Sequence, residues 1–151
     1  MLTLHMTNLE IAKLLRNAAA SYTIKDENKF RFQIIAYQKA ADTIENSTSE
    51  LADLFKEEKL SSLSGVGPSI SSHLEELLKT GKVKHFDWVM QGIPKSLFPL
   101  LDVPTIGPKK AFKLTIALSL KNPDSAVNDL KIAAVQGQIA KIEGFGEKSQ
   151  A

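Results

Sequence analysis

Apolar residues along this chain recur every three or four positions, which is the spacing of amphipathic helices. The first such stretch covers residues 9–15, and Thr7 with Glu10 forms the capping-box pattern that marks a helix start. Asn28 is predicted to cap a second helix, which carries apolar residues from position 30 to position 44.

The same spacing predicts helices through the rest of the chain. Thr48 or Ser49 is expected to cap a third helix, and a short helical turn is predicted at residues 60–63. Pro68 suits the first position of the next helix, and Gly81 suits its end. Further apolar stretches predict helices at residues 83–90, 94–101, 108–121 and 125–142.

No stretch of useful length alternates apolar and polar residues, so the pattern predicts an all-α chain. The segment Gln91-Gly-Ile-Pro94 is a break between two helical modules, which gives predicted domains at residues 1–91 and 92–151. Trp88 lies in an apolar stripe with Phe86 and Val89, and we interpret it as a packed residue.

Three short segments about forty residues apart repeat one pattern. They are Leu63-Ser-Gly-Val-Gly-Pro-Ser-Ile70, Val103-Pro-Thr-Ile-Gly-Pro-Lys-Lys110 and Ile142-Glu-Gly-Phe-Gly-Glu-Lys-Ser149. Each is predicted to be a tight turn between two helices, and repeats of this kind indicate deliberate architecture. Thr105 stands where the other copies have Gly, so we expect either an ordinary φ at Thr105 or an altered turn.

A turn that leads into a helix start presents backbone N–H groups to an anion, and the helix dipole adds to the attraction. A phosphodiester suits such a site, and main-chain contacts read no base identity. Serines follow the first turn, which is therefore expected to use backbone and hydroxyl donors. The predicted contacts with a DNA backbone are Gly65, Val66, Gly67, Ser69 and Ile70; Lys82 and Lys84; Thr105, Ile106, Gly107, Lys109, Lys110 and Lys113; and Gly144, Gly146 and Lys148.

Charge is unevenly distributed, although the net charge is only +2. Acidic residues dominate positions 42–78, whereas lysines dominate positions 79–113. A local basic stretch attracts phosphate even when the whole chain is near neutral, although it is equally compatible with a solvated face.

Composition excludes several other classes of site. The chain has no Cys, which excludes disulfides and thiolate metal sites. It also has no apolar run of about 18 residues and no signal-peptide pattern at its start. His5, His73 and His85 lie far apart without metal-ligand spacing, so surface or structural roles are expected.

Several segments in order along the chain carry a family resemblance. They are Asn8-Leu-Glu-Ile-Ala-Lys-Leu-Leu15, Asn28-Lys-Phe-Arg-Phe32, Ala36-Tyr-Gln-Lys-Ala-Ala41, Leu63-Ser-Gly-Val-Gly67, Thr80-Gly-Lys82 and Ile106-Gly-Pro-Lys-Lys-Ala111. The turns resemble helix-hairpin-helix motifs, and the wider chain resembles the N-terminal part of a family X DNA polymerase of bacterial or archaeal type.

This resemblance implies hairpins that hold the backbone of gapped or nicked DNA in repair gap filling. It also implies a Na⁺ or K⁺ ion at each hairpin and Mg²⁺ only in the parent polymerase, whose catalytic carboxylates lie beyond the third hairpin. We therefore expect this chain to be the front part of a larger enzyme. The implied ligands of the monovalent ion are the backbone carbonyls of Ser61, Leu63, Val66, Leu101, Val103 and Ile106.

Some family members remove 5′-deoxyribose phosphate with a lysine on the helix after the first hairpin. His73 occupies that position here, and an imidazole cannot form the Schiff base that an amine forms. Ser69 replaces a second common lysine, and Tyr37 matches a family tyrosine but is expected in the core. Weak or absent lyase activity follows, unless a substitute amine comes from Lys79, Lys82 or Lys84.

DNA is the expected partner, and we expect a monomer without membrane association, located in the cytoplasm at the nucleoid. Two alternatives stay open at this point. One is a lyase with a non-standard amine, and the other is a helical module that binds proteins instead of DNA.

Overall fold

The computed structural model describes residues 6–142 of the chain. Over this range the regular structure is entirely helical and contains no strand, which confirms the all-α prediction. Two 3-10 segments, Leu60–Ser62 and Lys95–Asp102, lie between α-helices. The α-helices are α1 (Asn8–Asp26), α2 (Arg31–Glu45), α3 (Leu51–Lys56), α4 (Pro68–Thr80), α5 (Lys84–Met90), α6 (Pro108–Ala117) and α7 (Ala126–Val135).

The chain forms two compact units that divide between Gln91 and Gly92. The first unit contains α1 to α5, and the second contains the Lys95–Asp102 segment with α6 and α7. None of the helices in residues 6–142 has the length and apolar character that crossing a bilayer requires.

The first unit is built around α1, which packs along α2 and also contacts α5. Ile11, Leu15 and Ile44 are fully buried in this core, and Leu74 of α4 is buried with them. Tyr37 is only 4% exposed, which confirms its predicted core position. Burial of such side chains supplies the main driving force for folding, because each removes apolar surface from water.

Helix starts agree with the sequence pattern at α1 but not at α2 or α3. Thr7 caps α1, where its hydroxyl accepts a hydrogen bond of 3.2 Å from the Glu10 backbone N–H. The Asn28 prediction was wrong, because residues 27–30 form a turn and α2 begins at Arg31 without a side-chain cap.

The cap of α3 comes from a distant residue, so the prediction of Thr48 or Ser49 was also wrong. The Asn8 side chain of α1 accepts a hydrogen bond from the Leu51 N–H at 2.7 Å and donates one to the Ser49 carbonyl at 2.9 Å. Asn8 therefore satisfies the start of α3 and joins it to α1.

An ion-pair cluster also joins α1 to α2. One nitrogen of Arg16 lies 2.9 Å from an Asp42 oxygen and 2.7 Å from a Glu45 oxygen. The hydrogen bond with Glu45 is the largest cause of a raised pKa of Arg16, although partial burial acts against it. This cluster uses two of the acidic residues in the acidic stretch.

The second unit has a smaller core in which Leu97, Leu100 and Leu114 are almost fully buried. The Ser96 hydroxyl donates a 2.7 Å hydrogen bond to the Leu120 carbonyl and so fixes the end of the α6 region. Helix α6 stops at Ala117, earlier than the predicted Asn122-Pro-Asp break, because Ser119 adopts a left-handed conformation with a φ of 52°.

Candidate nucleic-acid interface

Two hairpins of nearly identical backbone geometry lie forty positions apart. The first hairpin consists of the Leu60–Ser62 turn, loop residues 63–67 and α4, and the second consists of the Lys95–Asp102 segment, loop residues 103–107 and α6. The loops start with matching angles, since φ and ψ are −72° and 119° at Leu63 and −78° and 125° at Val103. The repeat seen in the sequence is therefore a repeat of structure.

Thr105 keeps the turn geometry of the first hairpin. Its φ is 72°, close to the 86° of Gly65 at the equivalent position. The expectation of an ordinary φ or an altered turn was wrong, because the surrounding hairpin holds a β-branched residue in the left-handed region. The cost is backbone strain at Thr105 in the free protein.

Gly67 and Gly107, the last residues of the two loops, do not have the positive φ of Gly65 and Thr105. Gly67 has φ and ψ of −79° and 173°, and Gly107 has −87° and 178°, angles that any L-residue adopts. A Cβ added at Gly67 or Gly107 would meet no atom within 4 Å. Neither backbone conformation nor internal packing therefore requires Gly at these two positions.

Helix starts follow both loops in the same way. The first helical hydrogen bonds run from the Ser71 N–H to the Gly67 carbonyl and from the Ala111 N–H to the Gly107 carbonyl, both at 2.9 Å. Pro68 has no N–H, and the N–H groups of Ser69 and Ile70 precede the first bond of α4. Such groups at the first turn of a helix have no intrahelical partner and favour an anion.

A lysine that the sequence pattern did not identify lies beside the first hairpin. The Lys39 side chain of α2 crosses Gly65, and its Cε lies 3.3 Å from where a Cβ of Gly65 would be. The Thr43 hydroxyl lies 3.0 Å from the same point. The use of backbone and hydroxyl donors by this turn stays a prediction, to which the structure adds a nearby lysine. The local sequence contains no signal for Lys39, because its contact joins distant segments.

The lysines of the second hairpin occupy the first two turns of α6. Lys109, Lys110 and Lys113 are all exposed, and Lys110 and Lys113 are three positions apart on one side of the helix. The structure thus brings Thr105, Ile106 and Gly107 together with these charges at the start of α6.

Lys82 and Lys84 lie apart from the first hairpin. They follow the C-terminal end of α4, and the length of a 13-residue helix separates them from its N-terminal end, about 20 Å. The Lys84 N–H donates to a Glu76 carboxylate oxygen at 2.8 Å, so Glu76 caps α5 and is not simply a solvated acid. Contact of these two lysines with phosphate stays a prediction.

The predicted cation ligands follow the same repeat. The Val103 carbonyl accepts a hydrogen bond of 3.2 Å from the Ile106 N–H, which leaves it a second lone pair. Two sets of backbone carbonyls remain predicted ligands of a monovalent ion, namely those of Ser61, Leu63 and Val66 and those of Leu101, Val103 and Ile106.

Residues 6–142 contain no group of three His, Asp or Glu side chains placed to hold a metal ion. Gly144, Gly146 and Lys148 of the third turn lie outside the described residues.

An open pocket of about 570 Å³ lies beside the first hairpin, and we call it the His73 pocket. Helices α1, α2, α4 and α5 all contribute to it. Its lining consists of Tyr22, Phe32, Gln33, Ala36, Tyr37, Ser69, Ile70, His73 and His85. The position that the family resemblance assigns to a lyase lysine thus faces a pocket of rings and neutral polar groups.

Two histidines that are twelve positions apart meet in this pocket. The His73 and His85 rings stack almost in parallel, with centroids 4.8 Å apart, and the Tyr22 hydroxyl lies 2.5 Å from the His85 Nε2. Sequence spacing does not reveal this pair, because the contact between the two rings depends on how α4 and α5 pack. Burial lowers the pKa of His73, and the nearby His85 lowers it further, while Glu76 acts in the opposite direction.

The two tyrosines of the pocket keep their protons. Burial is the main cause of a raised pKa at Tyr22 and of a strongly raised pKa at Tyr37, and the interaction between the two hydroxyls adds to the shift at Tyr37. Both side chains therefore act as neutral hydrogen-bonding groups near neutral pH.

Trp88 lies on the surface and not in the core, so its interpretation as a packed residue was wrong. It is 55% exposed, whereas its neighbours Phe86 and Val89 are buried. The Lys25 ammonium lies 5.2 Å from the centroid of the Trp88 ring, and the His85 ring lies 5.7 Å away. The apolar stripe of α5 is narrower than the sequence pattern indicates.

Comparisons with known proteins agree with the hairpin geometry. A family model for a helix-hairpin-helix domain matches residues 6–83. Over 145 residues, which is 96% of this chain, the sequence is 31% identical to "DNA polymerase/3′-5′ exonuclease PolX" of Bacillus subtilis (strain 168). The match covers 24% of that protein, so this chain spans about a quarter of the length of its relative. The predicted resemblance to a family X DNA polymerase is confirmed, and the chain belongs to the helix-hairpin-helix domain family.

Proposed function

We propose that this chain is a sequence-independent DNA-binding module whose two described hairpins hold the backbone of gapped or nicked duplex DNA. The observation that carries this function is the open space at Gly67 and Gly107. Glycine there serves neither the fold nor the packing, but it leaves the backbone N–H groups of the next helix turn open to a large ligand. A phosphodiester has the charge and the shape to use them.

Cationic side chains support the same ligand at both hairpins. Lys39 lies against the first loop, and Lys109, Lys110 and Lys113 lie on α6 after the second. Each lysine near a phosphate strengthens binding through counterion release without reading sequence. A monovalent ion bound by the loop carbonyls would neutralise further phosphate charge, and we propose it as part of both grips.

The relative's name describes a DNA polymerase and 3′-5′ exonuclease. We infer that this chain supplies the DNA-holding part of such an enzyme in repair gap filling, and that it acts as a monomer. A deoxyribose-phosphate lyase is disfavoured, because His73 cannot form a Schiff base and no lysine lines the described pocket around it. No described feature favours a protein-binding module over DNA.

Fluorescence anisotropy with labelled gapped duplexes of two unrelated sequences tests this function. We expect similar affinities for both sequences at low salt and a steep loss as salt rises. The double variant Lys109→Glu/Lys110→Glu should bind both duplexes more weakly and reduce the slope of log K against log salt by about 2, because two phosphate contacts are lost.

Lys121→Glu/Lys131→Glu is the matched control. It makes the same change in net charge within the second unit, but Lys121 follows the end of α6 and Lys131 lies on α7. It should retain most of the wild-type affinity. Absence of binding at low salt would exclude the proposed function. An equal loss of affinity in both double variants would mean that binding depends on net charge and not on the lysines of the second hairpin.

A further inference from the structure

The Trp88 ring is exposed but held in a fixed orientation. The Lys25 ammonium donates a hydrogen bond of 3.1 Å to the Trp88 carbonyl and lies 5.2 Å from the centroid of the ring. The His85 ring lies 5.7 Å from the Trp88 ring at a tilt of 32°, and Trp88 remains 55% exposed. A ring that is held in place before binding loses little conformational freedom when a ligand stacks on it.

Lysines from two helices accompany this ring. Lys25 comes from α1, and the exposed Lys84 lies four positions before Trp88 on the same side of α5. Asp87 is also exposed, but it lies about 100° around the helix from Trp88. An exposed aromatic ring with lysines beside it is the combination by which proteins bind unpaired nucleic-acid strands, because the ring stacks on a base while the lysines attract phosphates.

The surroundings of Trp88 suit a nucleic acid better than a protein. Protein interfaces use contiguous apolar surface, whereas the other exposed residues of α5 are Lys84 and Asp87, and the apolar Phe86 and Val89 are buried. A base needs only one ring face and tolerates charged surroundings.

This surface lies within reach of the first hairpin. His73 lies one turn of α4 beyond Ser69, and ring contacts lead from His73 to His85 and from His85 to Trp88. These steps place the Trp88 ring within about 20 Å of the start of α4, a distance that about six stacked nucleotides span. The lining of the His73 pocket includes neither Trp88 nor Lys25, so the surface is separate from that pocket.

We propose that Trp88, with Lys25 and Lys84 beside it, is a stacking platform for an unpaired base of the strand that crosses a DNA gap. This inference rests on the proposed DNA binding. The platform adds contact with a base to the backbone contacts of the hairpins, and it reads no sequence because every base has a face on which an indole stacks. A nicked duplex has no unpaired base, so the platform favours gaps over nicks.

Trp88 reports its own contacts, because it is the only tryptophan of the chain. The test titrates the whole chain at low salt with a duplex that has a gap of about six nucleotides and with a nicked duplex of matched sequence. The gapped duplex should quench Trp88 fluorescence saturably, and the nicked duplex should change it little. Anisotropy of the labelled DNA measures the binding of both.

Variants separate stacking from charge. Trp88→Ala should bind the gapped duplex about tenfold more weakly and the nicked duplex as tightly as wild type, with an unchanged slope of log K against log salt, because one stacked base and no phosphate contact is lost. Trp88→Phe should recover part of the affinity. Leu9→Ala is the matched control, since it removes an exposed apolar side chain about 24 Å from Lys25 along α1, and it should leave both affinities unchanged.

A gap made of abasic nucleotides keeps the phosphates and removes the bases. Wild type and Trp88→Ala should bind this DNA equally, because the ring then has no base on which to stack. Circular dichroism confirms that each variant remains folded.

The outcomes are distinct. Unchanged Trp88 fluorescence with bound gapped duplex would overturn the inference and leave the proposed function intact. An equal loss of affinity in Trp88→Ala for gapped, nicked and abasic-gap DNA would do the same. Absence of binding to any of these duplexes at low salt would overturn both proposals.

Discussion

At the scale of single residues, the two Gly positions of the repeated loop, 65 and 67 in the first hairpin, are needed for different reasons. Gly65 needs its positive φ, and a side chain there would meet the Thr43 hydroxyl and Lys39. Gly67 and Gly107 need neither a special φ nor the space. Gly65 is therefore required by the backbone conformation of its turn. Gly67 and Gly107 are not required by the fold, and we expect their missing side chains to matter only when a ligand approaches the backbone.

Thr105→Gly should stabilise the second unit. Removal of a β-branched side chain from the left-handed region relieves about 1–2 kcal/mol of strain, and the more flexible unfolded chain offsets about 0.4–1 kcal/mol of that gain. A net gain of up to about 1.6 kcal/mol in the free energy of unfolding is expected, seen as a higher midpoint of urea unfolding.

Gly65→Ala is the opposite test at the equivalent position. Its φ of 86° and the 3.0 Å approach to Thr43 predict a loss of about 1–2 kcal/mol in the same measurement. If Thr105→Gly lowered stability as Gly65→Ala does, the left-handed strain at Thr105 would not be real.

The sequence predicted the loops of both hairpins but not all of their charges. Gly and Pro positions determine local turns, so residues 63–68 and 103–108 were recognisable directly. Lys39 and the His73–His85 pair were not, because their contacts depend on how α2, α4 and α5 pack. Thr105 was misjudged because a local steric preference is weaker than the constraint of the folded hairpin.

At the scale of helices, ends proved harder to predict than helices themselves. Every predicted helical stretch up to residue 117 has a helix in the structure, since the apolar period reports burial directly. The cap of α3 is a tertiary interaction from Asn8, for which the local sequence contains no signal. The sequence pattern therefore pointed to Thr48 or Ser49, which are next to α3 in the chain, as its cap.

Asn8→Ala should destabilise the first unit by about 1–3 kcal/mol, because it leaves the Leu51 N–H without its partner and removes one of the two side-chain hydrogen bonds to the Ser49 carbonyl. Urea unfolding followed by circular dichroism measures this loss. Thr48→Ala is the control, since Thr48 is exposed, and it should stay within about 0.5 kcal/mol of wild type. Equal effects of the two substitutions would contradict the assignment of Asn8 as the cap.

At the scale of the whole molecule, the chain presents the same backbone motif once in each of its two units. The net charge of +2 is too small to attract DNA strongly by itself, so the proposed binding depends on the local sites. Main-chain groups and lysines can contact a DNA backbone without reading its base sequence, which suits the proposed binding at gaps of any sequence.

The most direct test of main-chain phosphate binding is the affinity of Gly67→Ala/Gly107→Ala for a gapped duplex at low salt, measured by anisotropy beside its urea unfolding curve. Ala fits the backbone angles at both positions, including the position before Pro68, so stability should be unchanged or slightly higher. Affinity should fall by about tenfold or more, because two methyl groups block the approach of phosphates to the N–H groups. Wild-type affinity in this stable variant would contradict the account.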